Sequence, residues 1–143
     1  MADVDPLRLL AEDAEDLKVI SAALQDAVAK LGDIHWQAGS RQLTIALNRY
    51  RWEDGPRAKE RVRSALQLGG VMSVQARKLR RDAPGAVISL LAVDFEPGDA
   101  PGGIVLLRFA GDADLRCEVE CIDAILADVS APWPARRKPE HEA

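Results

Sequence analysis

Apolar positions along this chain change their spacing several times, and each change marks an element. Leu7, Leu9 and Leu10 predict a short first strand entered through Pro6. Asp13 then has the look of a helix N-cap, with Asp16 three positions on and Glu15 in the first turn, where negative charge suits the helix dipole. Leu17, Ile20, Leu24, Ala27, Val28 and Leu31 keep helical spacing and predict one buried stripe, which Gly32 is placed to stop. Beyond it, residues 34–37 and 42–48 flank AGSR and predict a hairpin. Leu43, Ile45 and Leu47 alternate with Thr44, Ala46 and Asn48, so one face of the second arm is buried. After Asn48 the parity slips: Arg49 and Arg51 take the core positions while Tyr50 and Trp52 take the others. A one-residue bulge near Asn48, or a strand end projecting past the core, would account for this.

EDGP at 53–56 reads as a loop. Residues 59–68 fit either a helix, by propensity, or a strand with Val62, Leu66 and Leu68 inward. The strand is favoured, because Gly69-Gly70 and VMSVQARKL then supply the next arm of a bent meander. RRDAPG is a turn. AVISLLAVDF and IVLLRF are two strands joined by EPGDAPGG. The turn at Gly111-Asp112 leads into Leu115, Cys117 and Val119 at alternate positions, and Ile122, Ile125, Leu126 and Val129 predict a short closing helix. The expected fold class is α+β: one domain over 1–133, with an N-terminal helix, a bent and mostly antiparallel sheet of six to seven strands, and a closing C-terminal helix. Residues 134–143, rich in charge and proline, read as a disordered tail. In topology the plan resembles a pleckstrin-homology-like roll with an added early helix, which carries no ligand with it.

Composition narrows the class without naming an activity. At 143 residues, 48% apolar and 29% charged, the chain is long enough to bury a core without staples. No apolar run reaches the roughly 18 residues of a membrane span, so no membrane role is expected. MADVDPLRLL lacks the basic and long apolar regions of an export signal, so a cytoplasmic protein is expected. The net charge of −4 hides a segregation: residues 41–81 hold eleven Lys/Arg against only Glu53, Asp54 and Glu60. Such a segment either lies beside acidic neighbours in the fold or presents an anion-binding surface.

Candidate chemistry is sparse. Cys117 and Cys121 are too few for a disulfide framework, and as a C-x-x-x-C pair they read first as packing and only second as redox. His35 and His141 offer no four-ligand zinc set, so no metal and no cofactor is expected. Asp94, Glu96 and Asp99 gather at the EPGDAPGG loop, and an enzyme with an acidic site there is one alternative; no nucleophile elbow or phosphate loop accompanies them, and catalytic residues stay unassigned. The stronger candidate is NRYRWE with its neighbours: Arg49, Tyr50, Arg51, Trp52, Arg61 and Arg63. Arginines interleaved with aromatics on a sheet face can engage an anionic partner. This predicts a non-enzymatic adaptor for an acidic protein, with nucleic acid a weaker alternative and a homodimer through an open sheet edge a third.

The segments AEDAEDLKVISAALQDAVAKLGDI, ALNRYRWE, SLLAVDFEPGDAPGG and LRCEVECIDAILADVSAPW resemble a small family of uncharacterised alphaproteobacterial proteins, a domain of unknown function, over about residues 7–133. The resemblance implies a bacterial cytoplasmic protein and brings no catalytic or binding residue with it.

Overall fold

Asp13 caps the chain's first turn of helix as its spacing predicts, accepting a hydrogen bond from the Asp16 backbone N–H at 2.8 Å. The computed structural model describes residues 6–55, 60–80 and 82–135. Helix α1 spans Ala14–Ala23 and buries Leu17 and Ile20 against the sheet. Each such side chain is worth about 1.5–3 kcal/mol of burial. The helix is shorter than the apolar stripe suggests. Asp26 takes a left-handed φ of 63°, and its N–H donates to the Leu90 carbonyl. The chain then runs on as strand β2 (Ala27–Lys30), followed by a 3-10 turn at Leu31–Asp33. Ala27 and Ala29 point inward, so pairing with a neighbouring strand overrides the helical tendency of AVAK.

Eleven strands form among the described residues, against the six to seven expected. The others are β1 (Arg8–Ala11), β3 (Ile34–Gln37), β4 (Gln42–Tyr50), β5 (Glu60–Leu68), β6 (Val71–Arg77), β7 (Val87–Pro97), β8 (Gly103–Phe109), β9 (Ala113–Val119), β10 (Ala124–Asp128) and β11 (Trp133–Pro134). All pairings are antiparallel, in the order β1-β10-β5-β4-β2-β7-β8-β9-β6, with β3 on β4 and β11 on β5. The architecture is therefore mostly sheet with one helix, which corrects the α+β expectation. Among the described residues no closing C-terminal helix forms. Its place is taken by β10, inserted between β1 and β5, with Ala124 and Leu126 inward. The tail at 134–143 begins inside β11, since Pro134 pairs with Glu60, and positions 136–143 lie outside the described residues.

Residues 60–68 are a strand, as favoured, but β6 does not return beside β5. It pairs with β9, while β5 pairs with β10. Thus β5–β6 and β9–β10 are two long paired segments that bend together, one through Gly69-Gly70 and the other through residues 120–123. Gly70 supplies the bend with a φ of 63°. The sheet thereby rolls back on the same lengths of chain around one core, which includes Leu43, Leu66, Leu90, Leu107, Leu115 and Leu126. Helix α1 packs on β7 and β1 and covers the roll on that side. Its Ser21 hydroxyl accepts the Val93 N–H at 2.9 Å.

No bulge interrupts β4 near Asn48. The register with β5 is unbroken from Leu43↔Leu68 to Tyr50↔Arg61. The slip in hydrophobic pattern has another cause: Arg49 keeps the inward parity of Leu43, Ile45 and Leu47 and is itself fully buried.

Candidate functional site

Arg49 is among the largest fully buried side chains described, and its guanidinium is saturated. It forks onto Asp128 of β10 (Nε to Oδ1 and Nη2 to Oδ2, both 2.9 Å) and onto Glu53 (Nη1 to Oε1 and Nη2 to Oε2, both 2.8 Å). Nη1 also donates to the Tyr50 carbonyl at 3.0 Å. Burial works against the guanidinium's charge, yet the hydrogen bonds to Glu53 and Asp128 outweigh it and hold the group protonated above its ordinary range. This is an internal clamp, with no position left for a ligand.

The rest of the expected basic face divides. Arg51 is nearly buried and paired to Asp54 at 3.1 Å and Glu60 at 3.0 Å. Tyr50 is buried beneath the Arg61 guanidinium, 4.0 Å from its ring centroid, and beside Trp52 at 5.4 Å. Trp52 donates its indole N–H to the Gln25 carbonyl at 2.9 Å. Arg63 donates to Asn48 and Asp33, both at 3.1 Å. So the six residues do lie at one end of β4 and β5, but Arg49 and Arg51 do not share an exposed face with Arg61 and Arg63. The acids that neutralise them come from the turn after β4, from β5 and from the far end of the chain.

The acidic alternative is also laid out by the sheet. Asp94 on β7 receives Arg108 Nε at 2.8 Å, and Glu96 receives Arg116 Nη2 at 2.9 Å, each on the solvent side of neighbouring strands. Asp99 stands in the loop that follows, with Glu96, Glu118 and Glu120 around a recess there; Glu120 is engaged by Arg41. Among the described residues no group of three His, Cys, Asp or Glu is placed to hold a metal ion. Cys117 is buried, which pushes its thiol up to about 12, and Cys121 is exposed in the turn before β10 rather than at a helix start.

An apolar recess among the described residues was not legible as a site in the sequence. It is a cavity of about 300 Å³ between β3 and β6. Trp36 of β3, Val74 and Ala76 of β6, and Leu79 form its walls, and core residues Leu43 and Leu115 line its inner part. Both ends are tied. The Val71 N–H donates to the Arg41 carbonyl at 2.9 Å at one, and Gly32 N–H donates to the Pro84 carbonyl at 2.9 Å at the other. Among the described residues strand β3 pairs only with β4, and β6 only with β9, so each contributes an edge without a strand partner to this slot. The available signal was VMSVQA, an edge strand with neither lysine nor proline to mask it.

A comparison with family profiles matches residues 7–141 to a protein of unknown function, DUF2948. The chain belongs to the DUF2948 family. No curated protein and no solved structure matches it significantly. In this DUF2948 chain the slot between β3 and β6 is an apolar recess that reaches the core residues Leu43 and Leu115, and the Arg49 cluster is neutralised internally.

Proposed function

We propose that this DUF2948 protein is a non-enzymatic binding domain, working in the bacterial cytoplasm, whose docking site is the apolar slot between β3 and β6. The carrying observation is that the slot runs inward to the core side chains Leu43 and Leu115 between walls of half-buried Trp36, Val74, Ala76 and Leu79. A recess of this kind, concave and apolar with few polar groups, is the usual form of a binding site. An environment-sensitive apolar dye tests it. The dye binds the native protein, and Val74→Glu or Ala76→Glu removes that binding while the thermal unfolding midpoint stays near its original value. Dye binding unchanged in both variants refutes the reading.

A second reading is an anionic partner for the face that carries Lys30, Arg61 and Arg63. Arg61 and Lys30 have no carboxylate partner among the described residues, and Lys30 and Arg63 line a polar recess with Trp133 and Asn48 where β2 parts from β4. Replacing Lys30, Arg61 and Arg63 by Glu abolishes salt-sensitive capture of an acidic protein if this face is used, and leaves capture intact if it is not.

A further inference from the structure

We infer that the occupant of the slot is an extended segment of another polypeptide, added as a strand to the free edge of β6 with its alternate apolar side chains in the slot. The inference rests on the slot being the docking site and names what fills it. Backbone N–H and C=O groups on the outer side of a strand are satisfied by water or by another backbone. Natural sheets mask such edges with lysine, proline, inward charges or a covering element. Elsewhere on this roll, α1 packs against β1 and β7. On β6, Met72–Ala76 carry no charge and no proline, and the register irregularity at Met72 lies at the strand's beginning. Five residues further on, Arg77 marks the end, and it is turned to Asp112 and Asp114.

The slot's own dimensions favour side chains over a free ligand. About 300 Å³ is the bottom of the range for small-molecule sites. An extended chain instead places every second side chain on one face, so a strand along β6 would direct a short apolar series at Leu43 and Leu115 while its other side chains stay in water. Main-chain bonds would supply affinity and the slot would supply selectivity, the division found in strand-addition recognition generally. A second copy of the chain fits less well. In a symmetric pairing of two β6 edges, Val74 and Ala76 of each copy are already walls of their own slot, and both slots stay unfilled.

The test is selection of short random peptides displayed on phage against the full chain, with counter-selection on Ala76→Glu. Expected winners carry apolar residues at alternate positions. A synthetic winner slows amide exchange across residues 72–77, and N-methylation of one alternate set of its amides weakens binding by at least about tenfold. Winners with helical spacing, or a winner indifferent to N-methylation of either set, overturn the inference. So does concentration-dependent dimerisation that protects β6 without peptide, which would make a second copy the occupant. Dye binding in the slot with no peptide enriched over Ala76→Glu sinks strand addition and leaves the docking site standing; loss of both sinks both.

Discussion

Arg49 of β4 and Asp128 of β10 meet through two parallel hydrogen bonds of 2.9 Å, although β5 lies between their strands. Ser64 on β5 makes the bridge possible. Its hydroxyl accepts from Arg49 Nε at 3.2 Å and donates to Asp128 Oδ1 at 2.7 Å. Asp128 in turn accepts the Leu7 backbone N–H at 2.8 Å, so one carboxylate ties the chain's beginning to the middle of the sheet.

Breaking this clamp from one side strands a charge inside the fold. Arg49→Met is expected to cost about 3–5 kcal/mol, the usual penalty for removing one partner of a buried pair. Arg49→Lys costs less but is still destabilising, because an ammonium cannot reproduce the two forks. Urea denaturation of the variants measures both, and Arg49→Met with Asp128→Leu should recover part of the loss. If Arg49→Met unfolds at the parental midpoint, the cluster contributes nothing.

The same cluster sets an acid limit. Burial works to raise the Asp128 carboxyl, but hydrogen bonds from Arg49, Ser64 and the Leu7 N–H outweigh it and hold it below the ordinary carboxylate range. The hydrogen bond from Arg49 does the same for Glu53. A carboxyl depressed in the fold binds fewer protons folded than unfolded. Its stabilisation is complete above the unfolded value near ~4 and is lost as pH falls through the folded value. Stability should therefore drop on acidification below about pH 4, and Asp128→Asn should flatten that limb without adding a slope above neutrality. A wild-type and Asp128→Asn pair with parallel acid limbs would contradict this.

The two thiols should behave as strangers. Burial raises Cys117 to about 12 and removes it from solvent, whereas Cys121 is exposed. A thiol reagent at pH 8 should label Cys121 alone in the native protein and Cys117 only after denaturation. Equal labelling of both in native buffer would mean that β9 opens readily.

Gly103, at the start of β8, has no room for a methyl group: a Cβ there would press on the Glu96 carbonyl and sit 2.7 Å from the Phe95 ring. Gly103→Ala is expected to cost about 1–3 kcal/mol. Gly85→Ala, which meets nothing within 4 Å and needs no positive φ, should fall within about 0.5 kcal/mol of the parent. Thermal melts of the two variants make the comparison.

Where the sequence misled, periodicity was ambiguous for a definable reason. Ile122 and Leu126 are four apart, a spacing shared by one helical turn and by two steps of a strand, and the buried set Ile122, Ala124, Leu126 shows which applies. Ala27, Val28 and Leu31 continue a true helical stripe past Leu24, which the left-handed Asp26 and the pairing of β2 with β7 break. By contrast Asp13, the β3–β4 hairpin and the Gly111-Asp112 turn, with φ of 83° and 60°, were legible because local chemistry alone fixes them. Arg49 at core parity was visible as an anomaly. Its explanation was not, since Asp128 lies 79 positions away. The slot escaped for the same reason, as β3 and β6 become neighbours only when the long segments bend.

Among the described residues strand β1 has a single partner, β10, with Arg8 opposite Ala127 and Ala11 opposite Ala124. Strand β1 thus cannot form its sheet hydrogen bonds until residues 124–127 are available. Contacts of such sequence separation slow folding, because the whole intervening loop must be closed first. During synthesis the exposed Leu10 and the inward face of Ala11 remain without their sheet until residues 124–127 emerge. Closure of this roll thus depends on bringing Arg8 beside Ala127, and β1 has no sheet to join until that contact forms.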